Sequence, residues 1–164
     1  MSISTAPSAY RVEKRRSDAT VTLSSGNSER GCFFLATSST RHDGPERVVD
    51  LLNSERGFFP FEIHDAGVVR TVLYNRSHVV LVALEGDETT HDPGYGVVTR
   101  RLVSVLLSNG HRVVGAVRVY RSDGRDRLSD WTRQPETFRY VETGDTTVIV
   151  NVAHMVEVSE EPER

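Results

Sequence analysis

Apolar and polar residues alternate along most of the chain in short runs, and Gly, Asn, Asp or Ser residues separate the runs. In the second half the runs span 101–107, 111–120, 137–142, 146–150 and 155–158. Side chains alternate between the two faces of a strand, so this period of two indicates half-buried β-strands. Asn109-Gly110 accepts the positive φ of a hairpin turn, and Gly115 inside a run indicates a bend. The pattern predicts an all-β fold with about five short strands in each half.

Two short segments depart from the alternating pattern. Residues 51–54 predict a short helix, and residues 128–131 predict one helical turn or a third short strand. A separate run contains Phe58, Phe59 and Phe61. Alternation predicts that Phe59 and Phe61 are buried on one face and that Phe58 lies on the other. We interpret these rings as core or subunit packing rather than as a platform for nucleic-acid bases, because surrounding positive charge is lacking.

The two halves of the chain resemble each other in three stretches that occur in the same order. Residues 21–26 match 105–110 at an offset of 84. The pattern R-x-D-G-x-x-R-x-x-D occurs at 41–50 and again at 121–130, at an offset of 80. Asn75-x-x-His78 matches Asn151-x-x-His154 at an offset of 76. Each change of offset falls where a loop can change its length, so the matches predict a tandem duplication.

The repeats and the polar segment between them suggest a division of the chain. We predict a flexible N-terminal tail over 1–17, a first repeat over 18–85 and a second repeat over 98–158. Residues 86–97 are rich in Gly, Asp and Thr and predict a linker. Residues 159–164 predict an acidic tail.

Composition narrows the class of protein. The 164 residues carry a net charge of −3, which argues against non-specific nucleic-acid binding. The 24 Val residues favour sheet. A single Cys excludes an intramolecular disulfide and is typical of a reducing compartment. No apolar run approaches the ~20 residues of a spanning helix, and no secretory signal is evident. We therefore expect a cytoplasmic protein with no membrane span.

The hydrophobic and glycine spacing resembles that of a known family. The segment Val103-x-Val105-x-Leu107-x-Asn-Gly110, followed by Gly115, resembles the first sequence motif of Sm-like proteins. Residues 148–158 resemble the second motif, in which two short strands flank a tight turn. The resemblance implies two tandem, strongly curved five-stranded barrels of the Sm-like or SH3-like type, each with a short helical turn. Many Sm-like proteins form rings by pairing their fourth and fifth strands, and the resemblance implies such edge pairing here.

The RNA-binding residues of Sm-like proteins are mostly missing. The family uses an Arg-Gly or Lys-Gly pair in the last turn, where this chain has Asn75-Arg76-Ser77 and Asn151-Val152-Ala153. One copy keeps an Arg and neither keeps the Gly, so RNA binding does not transfer with the resemblance. An Sm-like RNA-binding regulator remains the alternative function, with Asn75, Arg76 and His78 as its candidate residues.

The repeated R-x-D-G-x-x-R-x-x-D loop is the most specific candidate site. One interpretation is a loop held by internal ion pairs, because the second Arg and second Asp are spaced i, i+3, and by an Asp side chain that bonds to backbone amides. The other is a docking loop whose arginines contact a carboxylate or phosphate on a partner. The candidate residues are Arg41, Asp43, Arg47, Asp50, Arg121, Asp123, Arg127 and Asp130.

Other candidate chemistry has little support in the sequence. The repeated Asn and His pairs lack the Cys or carboxylate partners of a metal site, so we expect no metal. Cys32 lies in a predicted strand and is interpreted as a buried, inert thiol. No catalytic or phosphate-binding motif is evident, so we expect neither an enzyme nor a cofactor. The sequence predicts a non-enzymatic scaffold or assembly subunit that binds a protein partner or associates with itself, alone or within a ring.

Overall fold

The computed structural model describes residues 14–86, 88, 99–119 and 127–162. The first half contains β1 (Lys14–Leu23), β2 (Ser28–Ala36), α1 (Val48–Ser54), β3 (Phe58–Asp65), β4 (Val68–Asn75) and β5 (Val79–Leu84). The second half contains β6 (Thr99–Leu107), β7 (Arg112–Val119), α2 (Leu128–Thr132), β8 (Phe138–Glu142), β9 (Thr147–Asn151) and β10 (Met155–Glu160). One 3-10 turn, Arg76–His78, joins β4 to β5, and another, Val152–His154, joins β9 to β10. The prediction of an all-β fold is confirmed.

The ten strands within the described ranges belong to one antiparallel sheet, in the order β10-β6-β7-β8-β9-β5-β1-β2-β3-β4. The order within the first half is β5-β1-β2-β3-β4, and the second half repeats it as β10-β6-β7-β8-β9. The halves meet where β5 pairs with β9, a contact that we call the joint. The prediction of two five-stranded barrels is not confirmed, because the described strands form one open sheet that ends at β4 and β10.

Two glycines, one in each half, allow adjacent strands to approach closely. A Cβ built on Gly31 in β2 would lie 1.8 Å from the Glu62 carbonyl oxygen of β3. A Cβ on Gly115 in β7 would lie 2.5 Å from the carbonyl oxygen of Glu142 in β8. No side chain fits at either distance, so both halves need glycine at this position, and the bend predicted at Gly115 stays a prediction.

Two apolar clusters form the core, and each crosses the joint. The first centres on Phe33, Phe59 and Phe61, with ring centroids 5.5 Å apart for Phe33–Phe59 and 5.1 Å for Phe33–Phe61. It also takes in Phe138 and Ile149 of the second half. The second surrounds Trp131 and includes Val80 of the first half. Since strand alternation sends neighbouring β5 side chains to opposite faces, this strand contributes to both clusters.

The element boundaries differ from the predicted ones at both ends of the described chain. Strand β1 begins at Lys14, inside the predicted 1–17 tail, because residues 14–17 pair with Phe33–Ala36 of β2. Strand β10 continues to Glu160, inside the predicted acidic tail, because Ser159 and Glu160 pair with β6. Short helices occur at both predicted positions, and the second is helical rather than extended. Most of the predicted linker lies outside the described residues.

Phenylalanine side chains in β3 follow the predicted alternation. Phe59 and Phe61 are buried, and Phe58 is 58% exposed. Cys32 is fully buried, as predicted.

Candidate functional site

The repeated loop begins a helix in both halves. Asp50 occupies the third position of α1, and its Oδ2 accepts a hydrogen bond from the Arg47 backbone N–H at 2.9 Å. Asp130 accepts from the Arg127 backbone N–H at 3.1 Å at the start of α2. A carboxylate at this position satisfies a backbone donor that the helix leaves unpaired. The R-x-x-D end of the repeated pattern therefore has a local structural role.

In the first half this helix start is also an ion-pair network. Arg47 Nη2 lies 2.9 Å from Asp50 Oδ1, and His42 Nε2 lies 2.7 Å from Asp50 Oδ2. Two contacts raise the pKa of His42. The larger contribution comes from the Asp43 carbonyl oxygen and the smaller from the Asp50 carboxylate. Burial alone would raise the pKa of Asp50, but hydrogen bonds from Arg47 and His42 hold it below its ordinary value. The expected i, i+3 ion pair is thus present at Arg47 and Asp50.

The positions of the remaining loop residues do not test the docking interpretation, which stays a prediction. Arg41 donates to the Asn53 carbonyl at 3.3 Å, and Asp43 is exposed. Arg127 is exposed beside α2. Arg121 and Asp123 lie outside the described residues.

A groove of about 620 Å³ lies between α1, α2 and β8, and the sequence offered no signal for it. Arg41 and His42 of the repeated loop line it, together with Arg118 and Arg139. Arg118 forms an ion pair with Glu142, and Arg139 donates to the Trp131 and Glu136 carbonyls. These two cations are already engaged by the protein itself.

The repeated Asn and His residues shape the 3-10 turns. Asn75 Oδ1 accepts from Ser77 N at 3.1 Å, and Asn151 Oδ1 accepts from Ala153 N at 3.0 Å. His78 Nδ1 lies 2.8 Å from Ser24 Oγ. The matching contact of His154 with Ser108 Oγ measures 2.7 Å. Both copies of the motif therefore have the same local structure.

The two copies of the motif differ in the contacts of the Asn Nδ2 and His Nε2 atoms. Across the joint, Asn151 Nδ2 donates to the Val79 carbonyl at 2.9 Å. His154 Nε2 lies 2.7 Å from the carbonyl oxygen of Ser77. Asn75 Nδ2 and His78 Nε2 are the equivalent atoms of the first half, and neither has a hydrogen-bond partner among the described residues. This difference follows from position, because the second-half motif faces β5 and the first-half motif borders the open end of the sheet.

Arg76, the candidate RNA-binding arginine, points into the first half. It is 4% exposed, and its guanidinium donates to the carbonyls of Phe58 at 2.8 Å and Leu51 at 3.0 Å. Burial lowers its pKa, and its Nε is buried with no hydrogen-bond partner in the part of the chain that the structure describes. As placed, this side chain tethers the turn to β3 and α1. Its neighbours Asn75 and His78 are half-buried and exposed, respectively.

The open edges of the sheet carry apolar side chains. Val68, Val69 and Leu73 of β4 are 62%, 59% and 65% exposed, and Val156 of β10 is 66% exposed. Among the described strands, β4 pairs only with β3 and β10 only with β6. Each outer edge therefore presents backbone N–H and C=O groups beside apolar side chains, the usual requirements for strand addition.

A group of possible metal ligands lies elsewhere in the first half. The ligand atoms of Cys32, Glu62 and His64 all lie within 4.8 Å of one another. The sequence did not reveal this cluster, because its members meet only when β2 and β3 pair.

Comparisons with protein-family models, with curated proteins and with solved structures found no match. None of the helices in the described ranges is long and apolar enough to cross a membrane.

Proposed function

We propose that this protein is a non-enzymatic assembly subunit, built from two duplicated Sm-like barrel units, that binds further copies of itself through its open sheet edges. The observation that carries this proposal is the joint itself. There the fourth strand of one half, β9, pairs with the fifth strand of the other, β5. The strands left at the ends are the fourth strand of the first half and the fifth strand of the second. One chain therefore presents both partners of a joint that it already makes internally.

The internal register can be transferred to a contact between two copies. In the joint, Leu81, Val82 and Ala83 pair with Val150, Ile149 and Val148. The offset of 76 that relates these strands places Glu157, Val158 and Ser159 of one copy opposite Tyr74, Leu73 and Val72 of the next. Leu73 then takes the place of Ile149, which is fully buried. Pairing would cover Leu73, one of the apolar side chains that β4 now exposes.

The hydrogen-bond donors of the joint transfer in the same way. By the same offset, Asn75 Nδ2 would meet the Met155 carbonyl of the next copy, as Asn151 meets Val79. His78 Nε2 would meet the Ala153 carbonyl, as His154 meets Ser77. Arg70 replaces Thr146, whose hydroxyl donates to the Leu84 carbonyl, and would lie beside Glu160. The new contact thus supplies partners to the two donors that lack them and adds an opposite-charge pair.

This contact is head-to-tail, because each copy uses β4 on one side and β10 on the other. Head-to-tail contacts produce a closed ring when the rotation between copies closes and a filament when it does not. The resemblance of the sequence to Sm-like proteins, many of which form rings by pairing their fourth and fifth strands, supports a ring.

The proposal is tested by cross-linking in register. A Leu73→Cys, Val158→Cys variant in a Cys32→Ala background puts one thiol on each open edge. Directly opposite residues of antiparallel strands have Cα atoms roughly 4.5–5.5 Å apart, within the range of a disulfide. Mild oxidation should yield cross-linked multimers, and light scattering on the unmodified protein should give a mass above that of one chain.

A matched control moves one thiol out of register, as Val68→Cys with Val158→Cys. It should cross-link far less than the in-register pair, although Val68 is as exposed as Leu73. A monomer at all concentrations, or equal cross-linking of the two pairs, would rule out the proposed contact.

A further inference from the structure

A cluster of Cys32, Glu62 and His64 lies on adjacent strands and is not needed for the assembly contact. Cys32 in β2 is the register partner of Glu62 in β3, and His64 lies two residues further along β3, on the same face as Glu62. Cys32 Sγ is 3.8 Å from Glu62 Oε1, and His64 Nε2 is 3.0 Å from the same oxygen. Three potential ligands of different chemistry therefore converge on one point.

The distances and donor types suit a zinc-like ion. Zinc binds thiolate, imidazole and carboxylate with bonds of about 2.0–2.3 Å. A tetrahedral centre with such bonds separates its ligand atoms by about 3.3–3.8 Å. The Cys32–Glu62 separation of 3.8 Å falls within this range, and the His64–Glu62 separation of 3.0 Å is slightly below it, so a small side-chain movement is needed. All three ligand atoms lie within 4.8 Å of one another. Three protein ligands leave the fourth position to water.

An ion can reach the cluster from solvent, and the cation that now contacts Glu62 can be displaced. Cys32 and Glu62 are buried, whereas the His64 side chain is 33% exposed, so the cluster has one open side. Arg16 Nη1 now lies 2.9 Å from Glu62 Oε1, the atom that would bind the ion. The Arg16 side chain is 64% exposed, so it can turn into solvent at little cost.

The second half shows that the fold does not require these ligands. At the established offsets, Ala116 corresponds to Cys32, Glu142 to Glu62 and Gly144 to His64. Glu142 is held there by Arg118, and no thiol or imidazole accompanies it among its described contacts. A small apolar residue therefore fills this position adequately, and the thiol and imidazole are additions of the first half.

We propose that Cys32, Glu62 and His64 form a binding site for a thiophilic divalent cation such as Zn²⁺. Binding replaces the proton of the Cys32 thiol, which leaves to solvent as the sulfur–metal bond forms. No oxidant or reductant takes part.

The test uses Co²⁺ as a spectroscopic probe on the full chain after chelator treatment. We expect one Co²⁺ per chain, with thiolate-to-cobalt charge-transfer absorption and the visible bands of a tetrahedral ion, both lost when Zn²⁺ is added. Cys32→Ala copies the second half, so it should fold normally, abolish the charge-transfer absorption and weaken binding by more than about 100-fold, beyond the loss caused by a residue outside the ligand set.

Two further variants sharpen the result. Arg16→Gln should tighten binding several-fold, because the competing cation is removed, and His111→Ala, a histidine of the other half, should change nothing. Absence of the charge-transfer absorption, or its survival in Cys32→Ala, would overturn the proposal. Binding that is weak and equal in all variants means an adventitious ion only and overturns it as well. None of these readouts depends on self-association.

Discussion

Strands β9 and β4 are equivalent in order within their halves, yet their surroundings are opposite. Every residue of β9 is buried, whereas β4 has no buried residue. Ile149 is fully buried and its counterpart Leu73 is 65% exposed. Both side chains are large and apolar, so the difference lies in the neighbour: β9 has β5 beside it, and the described chain places nothing beside β4. At these two positions, whether a side chain is buried depends on the presence of a neighbouring strand rather than on the residue type.

The largest expected effect comes from placing a charge at these two equivalent positions. Ile149→Lys buries an unpaired ammonium group at the joint and should cost several kcal/mol, enough to unfold a domain of this size. In the isolated chain Leu73→Lys puts the same group in solvent, so the unfolding free energy of the monomer should change by no more than about 0.5 kcal/mol. Denaturant unfolding measures both values.

In a self-association assay the more informative substitution is Leu73→Lys. It should abolish self-association while the monomer stays folded. Equal destabilisation by the two substitutions would show that β4 and β9 have similar environments in solution. Normal association of Leu73→Lys would remove β4 from the proposed contact.

A smaller effect is expected at Glu88, which ties the two halves together beside the joint. Its carboxylate accepts from Val48 N at 2.9 Å and Val49 N at 3.1 Å in α1, and from Tyr140 Oη at 2.8 Å in β8. Glu88→Ala removes these acceptors and should lower the unfolding free energy by about 1–3 kcal/mol. Glu85→Ala, which removes an exposed ion pair with Arg30, should have much less effect.

The Glu88 contribution should also depend on pH. Burial raises the pKa of Glu88 despite its three hydrogen-bond donors. The contribution is then complete below the ordinary carboxyl pKa and declines as pH rises through the higher folded value. The stability gap between the wild type and Glu88→Ala should narrow over that interval. A gap that widens with pH would contradict the assigned direction.

The smallest effects should come from the paired histidines. His154→Ala removes a hydrogen bond across the joint and should lower the unfolding free energy by about 0.5–1.5 kcal/mol. His78→Ala leaves the joint intact, so it should affect folding less and weaken self-association instead. Thermal unfolding and light scattering on the same samples separate the two responses. Identical behaviour of both variants would argue against a second joint at β4.

Much of the local structure was predictable because it depends on neighbouring residues. The hairpin turn at Gly110, the alternation of Phe59 and Phe61, and the short helices follow from φ preference and from periodicity. The sequence also predicted that an Asp side chain of the repeated loop bonds to backbone amides. Asp50 and Asp130 do so, by accepting from the backbone N–H groups of Arg47 and Arg127 at the helix starts.

Features that join distant segments were not predictable in this way. The spacing of Glu62 and His64 gives no sign that Cys32 lies opposite, since that depends on the β2–β3 register. The sequence places Arg76 in a turn and gives no sign of its burial, which depends on its contacts with α1 and β3. The groove between α1, α2 and β8 has no counterpart in any local pattern.

By itself the sequence determined the strands, their turns and, through the repeated motifs, the equal order of elements in the two halves. Only the tertiary structure decided that β5 pairs with β9 in one continuous sheet, and therefore which edges remain open. The physical reason is that strand pairing uses the same backbone groups in every strand. Alternation identifies a strand and its buried face, whereas its partner is chosen by side-chain contacts between residues far apart in the chain.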